Sequence, residues 1–261
     1  ITVSLITVKL LNMQFGLIGY PLSHSFSKGY FGEKFAKLGL AETHRYDNYP
    51  LASIAEFPAL LAQQPELRGL NVTIPYKQQV IPFLDELSAG AQAVGAVNTI
   101  LFTEGRRIGY NTDVIGFQDS LSAFVAENGG PIQSAWVLGT GGAAKAVVWV
   151  LEQLGAQVKL ISRSSRDGVL SYDELTEDHV AEVDLIVNTT PLGMSPNIDT
   201  CPNIPYHCLS PQHRLYDLVY NPEETLFLRQ GKQRGAATTN GYAMLLGQAE
   251  AAWEIWTATT K

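Results

Sequence analysis

The chain has 261 residues, enough for one large domain or two modest ones, each burying its own core. Apolar residues make up 46% and charged residues 16%, the composition of a folded chain and not of a disordered one. The formal net charge is −7, so a basic footprint for nucleic acid or an anionic membrane surface is excluded, and any anionic ligand must be captured by local groups.

Residues 1–12 are apolar and β-branched, lack a basic leading region and are too short to span a bilayer. They read as an upstream extension, with an added edge strand as the structural alternative. Residues 14–19 form a predicted strand ending in a Gly-Tyr-Pro turn. A helix over 25–40 follows, then a strand over 44–48 and a helix over 51–64 that Pro65 stops. The stretch 67–73 is a strand broken by Pro75, and 86–94 reads as a helix. Strands at 98–102 and 107–110 flank Glu104-Gly105, a hairpin signal. A helix over 114–128 then meets Gly129-Gly130-Pro131, which reads as a hinge between two units.

Beyond it, strands are predicted at 135–138, 158–162, 184–188, 215–219 and 236–239. Helices are predicted at 141–154, 223–231 and 242–256. Pro196 to Pro211 reads as a surface loop. This alternation is the α/β signature. Two cysteines, Cys201 and Cys208, are too few for a disulfide framework and point to a reducing, cytosolic setting. With His207 and His213 they match no common zinc spacing, so no metal is expected.

The strand at 135–138 runs into Gly139-Thr140-Gly141-Gly142-Ala143-Ala144 and a helix. Gly139 and Gly141 take the first two glycine positions of the dinucleotide fingerprint, and Ala144 takes the third. The helix start then offers free N–H groups and a favourable dipole to a pyrophosphate. An NAD site wants a carboxylate at the end of the next strand, to hold the ribose 2′-OH. Here the residues are Ser162-Arg163-Ser164-Ser165-Arg166, and the first acid is Asp167. Guanidiniums and hydroxyls suit a 2′-phosphate, so the expected cofactor is NADP(H).

The reacting groups lie in the other half. Asn71, Thr73 and Lys77 stand at and just past a strand end, and Asp113 follows another element end. Ligands of open α/β sheets bind outside the carboxyl ends of the strands, which makes Thr73, Lys77, Asn98 and Asp113 candidates to converge. Lys and Asp at such a point form a proton-transfer pair: the Lys donates to a carbonyl oxygen as hydride arrives, and the Asp orients it. Taken singly, Lys77 also fits a solvated surface position and Asp113 a helix N-cap. Ser23 and Ser25, flanking His24, offer hydroxyls to a carboxylate at a helix start, or simply cap that helix. Gln248 sits in the last helix, where it reaches a ligand hydroxyl or stays exposed.

The ordered stretches are Ser23-His24-Ser25, GLNVTIPYK (69–77), GAVNT (95–99), GYNTDVIGF (109–117), GTGGAA (139–144), NTTPLGM (188–194), DLVYNP (217–222) and GYAMLLGQA (241–249). In that combination the sequence resembles the shikimate dehydrogenase family. The resemblance implies a two-domain α/β fold. An N-terminal α/β substrate domain with a mostly parallel sheet covers 13–114 and is joined by a C-terminal helix, 240–261. A Rossmann-like NADP-binding domain covers 115–239. It implies reversible, NADPH-dependent reduction of 3-dehydroshikimate to shikimate, in aromatic amino-acid biosynthesis, by a cytoplasmic monomer or homodimer with no nucleic-acid or membrane partner.

Carried over by position, Lys77 and Asp113 are the catalytic pair. Ser23 and Ser25 hold the substrate carboxylate. Thr73, Asn98 and Gln248 bind the ring hydroxyls, with Asn71 nearby and Tyr220 lining the substrate side. Gly139, Thr140, Gly141, Gly142 and Ala143 cradle the pyrophosphate. Arg163 and Ser164 face the 2′-phosphate, Leu218 and Gly241 sit by the nicotinamide, and Ser162 and Thr189 complete the cofactor set. Thr140 stands where the family usually has alanine, and Ser162-Arg163-Ser164 where it commonly has Asn-Arg-Thr. The loop that follows is about one residue short, which leaves the role of Arg166 open. Ser25 and the basic loop argue against a quinate-using relative, and the presence of both Lys77 and Asp113 argues against a non-catalytic ligand sensor.

Overall fold

The computed structural model describes residues 12–22 and 26–258. The predicted extension, apart from Asn12, and the Ser23–Ser25 segment lie outside the described residues. The chain forms two compact units. One holds the residues through Asn111 and those from Ala252 onward; the other runs Thr112–Ala251.

In the first unit, β1 (Met13–Gly19), α1 (Phe26–Lys37), β2 (His44–Pro50), α2 (Phe57–Gln63) and β3 (Leu67–Val72) alternate strand and helix. Then come β4 (Glu86–Leu87), α3 (Ala89–Val94), β5 (Thr99–Thr103) and β6 (Arg106–Tyr110). The sheet order is β2-β1-β3-β5-β6-β4. β1 pairs in parallel with both β2 and β3, as strands linked by helical crossovers do. β5 and β6 form the expected antiparallel hairpin, and β5 lies antiparallel to β3. Period-two alternation sends Ile18, Leu70 and Val72 into a core with Phe57, Tyr76, Val97 and Ile100. Phe15, of the opposite parity, packs on Phe35 and stacks at 4.9 Å on Trp256, whose indole N–H donates to the Ile100 carbonyl at 3.0 Å. Burying an indole in this way satisfies its single donor and adds a large apolar surface to the core.

The second unit begins with α4 (Thr112–Glu127) and continues through β7 (Ser134–Leu138), α5 (Gly142–Gln153), β8 (Gln157–Ser162), β9 (Val169–Ser171) and α6 (Glu177–Ala181). It is completed by β10 (Leu185–Asn188), β11 (Arg214–Asp217), α7 (Leu226–Gln233), β12 (Ala237–Thr239) and most of α8 (Tyr242–Thr257). The sheet order is β9-β8-β7-β10-β11-β12, and every ladder is parallel. Numbered within the unit, that is 3-2-1-4-5-6, the doubly wound arrangement that reverses between β7 and β10. Its central strands are buried on both faces, which is why they read as unbroken apolar runs: Trp136-Val137-Leu138 and Leu185-Ile186-Val187.

Several elements differ from the sequence reading. The stretch 86–94 is not one helix: Glu86 and Leu87 pair with Ile108 and Gly109 as β4. Ser88 then starts α3, its N–H donating to the Gly109 carbonyl at 2.9 Å and its hydroxyl accepting from Ala91 N at 3.3 Å. The helix expected over 51–64 starts late, because Ser53 caps a 3-10 turn at Ile54–Glu56 before α2. Gly129-Gly130-Pro131 lies inside the second unit, between α4 and β7, where both glycines take positive φ and Gly130 N bonds back to Val125 O. The segment 196–211 is not only surface loop, since Ile204 and Leu209 plunge into the core of the second unit. β9 and α6 were not expected at all. No described helix is long and apolar enough to cross a membrane.

Candidate active site

In the first unit, four of the sequence-predicted residues gather around the carboxyl end of β3. Asn71 is buried on the strand itself, where its amide donates to the Asn98 carbonyl at 3.3 Å and to Thr99 Oγ1 at 3.1 Å, while its Oδ1 accepts from Tyr46 Oη at 2.7 Å. These bonds use Asn71 as a brace, which is why a polar residue is tolerated in the interior. Thr99 Oγ1 in turn donates to Asn98 Oδ1 at 3.2 Å. Thr73 opens the turn after β3, and its carbonyl accepts from Tyr76 N at 2.9 Å. Tyr76 pins that turn by donating its hydroxyl to the Leu51 carbonyl at 2.5 Å. The Lys77 carbonyl accepts from Val97 N at 2.7 Å, one residue before Asn98. Lys77 and Thr73 are half-buried, between the solvated and the interior state. Asn111 was not assigned a role by sequence, yet it is buried and its amide holds the Ala96 carbonyl at 3.0 Å. The loop that presents Asn98 is thus fixed from both sides.

In the second unit, the glycine loop sits where the strand order reverses. Gly139 has φ 109°, and a Cβ there would lie 2.8 Å from Thr189 Oγ1 and 3.1 Å from Thr190 Cγ2. Only glycine fits. Thr189 closes the mouth of this switch point: its N–H and hydroxyl both donate to the Leu138 carbonyl, at 3.0 and 2.7 Å. Gly141 stands at the N-cap of α5 and supplies no side-chain cap, and added Cβ atoms at Gly141 and Gly142 would meet nothing within 4 Å. The first-turn N–H groups of α5 are therefore open to an anion. A pyrophosphate fits this cradle. Ala144, at the third fingerprint position, is buried between helix and sheet.

The end of β8 carries Ser162, half-buried, then Arg163, Ser164, Ser165 and Arg166, all exposed. Reciprocal backbone bonds between Arg166 and Val169, at 3.0 and 2.8 Å, turn the chain into β9 and keep this loop short. Burial raises the Tyr172 phenol above its usual range, partly offset by the charge of Arg163. Glu174 is occupied by Ser171, whose N–H and hydroxyl donate to Oε2 at 2.6 and 2.8 Å and hold the carboxyl below its usual range.

Two further strand ends form one buried node. Asp217 closes β11, and its carboxylate accepts from Thr225 Oγ1 at 2.6 Å, Asn188 Nδ2 at 2.9 Å and Val219 N at 3.0 Å. Asn188 Oδ1 accepts from the N–H and hydroxyl of Thr190, at 3.0 and 2.6 Å. The node shapes the loops carrying Thr189, Leu218 and Tyr220. Leu218 N donates to the Asn188 carbonyl at 2.9 Å, and Gly241 N donates to the Val219 carbonyl at 3.3 Å, which brings Leu218 and Gly241 together. Tyr220 is exposed. Asn188 and Asp217 lie in the NTTPLGM and DLVYNP stretches, and their pairing depends on the parallel register that sets them side by side.

α4 and α8 cross at glycines: a Cβ on Gly116 would meet Met244 O at 2.5 Å and Gln248 N at 2.7 Å. The crossing sets Asp113, in the first turn of α4, three residues before the contact, and Gln248 at the contact itself. The Gln248 amide donates to the Leu245 carbonyl at 2.9 Å.

A doubly wound parallel sheet with a glycine loop at its switch point, paired with a second α/β unit bearing amide, hydroxyl and amine groups at a strand end, defines a dinucleotide-dependent oxidoreductase. The family model for the shikimate dehydrogenase substrate binding domain matches residues 17–100. Shikimate dehydrogenase (NADP(+)) of Desulforamulus reducens is 41% identical, over 94% of this chain and 90% of its own length. The chain belongs to the shikimate dehydrogenase family. Among solved structures, shikimate 5-dehydrogenase of Thermus thermophilus, in complex with NADP(H) and shikimate, superposes with a TM-score of 0.80 at 31% identity, covering 94% of each chain. A chorismate mutase/shikimate 5-dehydrogenase fusion protein from Clostridium acetobutylicum gives 0.84 at 35% identity, covering 95% of this chain and 92% of that one.

Proposed function

We propose that this chain catalyses the reversible, NADPH-dependent reduction of 3-dehydroshikimate to shikimate. The observation that carries the reading is likeness to NADP(+)-named shikimate dehydrogenases along nearly the whole chain, in a sequence that keeps both Lys77 and Asp113. In this reading 13–114 with 240–261 forms the substrate domain and 115–239 the cofactor domain, in a cytoplasmic monomer or homodimer.

When bound, NADPH supplies the hydride. Lys77 donates the proton that the carbonyl oxygen takes up as the C=O bond becomes C–OH, and solvent restores that proton afterwards. Asp113 orients the Lys77 ammonium. Ser23 and Ser25 hold the ring carboxylate, while Thr73, Asn98 and Gln248 hold hydroxyls, with Asn71 bracing Asn98 and Tyr220 covering the substrate side. Gly139 through Ala143 bind the pyrophosphate, and Ser162, Arg163 and Ser164 take the 2′-phosphate; Thr189, Leu218 and Gly241 shape the nicotinamide end.

Steady-state oxidation of shikimate and of quinate, each with NADP and with NAD, tests the proposal. Shikimate with NADP is expected to give the highest kcat/KM. Equal turnover of quinate would overturn the substrate assignment, and equal or better use of NAD would overturn the cofactor assignment.

A further inference from the structure

Among the described residues, Glu177, His207 and Cys208 bring one carboxylate oxygen, one imidazole nitrogen and one thiol sulfur within 4.8 Å of one another. Glu177 opens α6, whose buried Val180 anchors that helix to the core. His207 and Cys208 are consecutive in a 3-10 turn, Tyr206–Cys208, held down by Ile204 and Leu209 on either side. Tyr206 adds a bond from its hydroxyl to the Pro202 carbonyl at 2.7 Å. The backbone is therefore fixed on both sides of the cluster. Only the side chains remain adjustable: Glu177 and His207 are exposed, Cys208 is half-buried, and His207 Nε2 already lies 3.2 Å from Glu177 Oε1.

The structure breaks up the Cys/His set that the sequence presents. His213 is buried, with Nδ1 facing Ser210 N at 2.9 Å and Nε2 facing the Val180 carbonyl at 2.9 Å, so both ring nitrogens are occupied. Cys201 Sγ accepts from Gln230 Nε2 at 3.2 Å. His207 and Cys208 are left, and Glu177, thirty residues upstream of His207, joins them.

We propose that Glu177, His207 and Cys208 form a binding site for a divalent cation of the zinc class, bridging α6 and the Tyr206–Cys208 turn. Oxygen, nitrogen and sulfur are the three donor types that zinc accepts, and their atoms stand about 3.5 Å apart around a tetrahedral ion. Closure asks the side chains to move by about 1 Å, which exposed rotamers supply. Mg²⁺ and Ca²⁺ are disfavoured, because they want an all-oxygen shell. Binding replaces the Cys208 thiol proton, which passes to solvent, and the metal takes a lone pair of neutral His207. Thiolate and carboxylate together then balance the dication. The fourth position stays open to water. The site is independent of the dehydrogenase reading.

The full chain, stripped with a chelator, is titrated with Co²⁺ and then with Zn²⁺. One Co²⁺ per chain is expected, with a thiolate-to-cobalt charge-transfer band that Zn²⁺ abolishes by displacement. Cys208→Ser removes the band. Glu177→Gln and His207→Asn each weaken Zn²⁺ binding about tenfold or more, at least the loss seen when an outer partner of a metal site is removed. Cys201→Ser keeps both band and affinity. Circular dichroism of the metal-free variants shows that each is folded. Absence of the band, its loss in Cys201→Ser instead of Cys208→Ser, or unchanged Zn²⁺ affinity in Glu177→Gln overturns the proposal.

Discussion

Asp217 provides a sharp energetic test of the second unit. It is fully buried, and desolvation pushes its pKa up from 3.8 to about 6, even though Thr225, Val219 and Asn188 all donate to it and pull the other way. A shift of that size corresponds to about 3 kcal/mol. The sign follows from proton binding. The folded state holds the Asp217 proton more tightly than the unfolded chain does, so the group favours folding below about pH 4 and that advantage is lost as the pH rises through about 6. Asp217→Asn removes the titration while keeping the shape and one acceptor oxygen. The unfolding free energy of the wild type, minus that of Asp217→Asn, should therefore drop by about 3 kcal/mol between about pH 4 and pH 7. Urea unfolding at a series of pH values, followed by circular dichroism, measures the difference. A pH-independent difference, or one that grows with pH, refutes the reasoning that burial outweighs the three donors.

Four other substitutions probe the two units. Gly139→Ala forces a Cβ at φ 109° against Thr189 and Thr190. It should cost about 1–3 kcal/mol of stability and raise the NADPH dissociation constant about tenfold or more, read by fluorescence titration. Gly142→Ala, which meets nothing, should instead stabilise the chain by about 0.4–1 kcal/mol. Lys77→Ala should lower kcat by about 10²-fold or more with a modest change in KM, since it removes the proton donor; a near-normal kcat in single-turnover and steady-state assays would contradict its role. Trp256→Ala should destabilise the first unit by about 3–5 kcal/mol, measured as a lowered urea midpoint, because it empties the space beside Phe15 and strips the Ile100 carbonyl of its donor.

Legibility from sequence followed the range of the interactions. The Gly139 loop, the Glu104-Gly105 hairpin and the alternating strands carry local signals, and each was found within a few residues of its place. β4 was hidden because two residues, Glu86 and Leu87, have no periodicity to read; only Ile108 and Gly109 across the ladder make them a strand. β9 and α6 lie in a stretch crowded with acids and hydroxyls, where Val169 and Val180 are the isolated anchors. The loop 196–211 reads as superficial because its buried apolar residues, Ile204 and Leu209, stand among prolines and polar residues with no periodicity. For the site, spacing alone suggests that Thr73, Lys77, Asn98 and Asp113 converge; the first three stand around the carboxyl end of β3, and the bonds that brace them there, such as Asn71 to the Asn98 carbonyl, are visible only in the fold. The Asn188–Asp217 pair and the Glu177–His207 pair were out of reach, since each joins residues about thirty apart that only the parallel sheet and its crossovers bring side by side.

Trp256 also imposes an order on how the chain matures. It meets Ile100 across 156 positions, so the first unit lacks its central indole until all of Thr112–Ala251 has been made. The second unit needs no such wait, because Thr112–Ala251 is one uninterrupted stretch. During vectorial synthesis the part translated first is thus finished last. The rings of Phe15 and Phe31, which stack on or pack against that indole, wait for it as well.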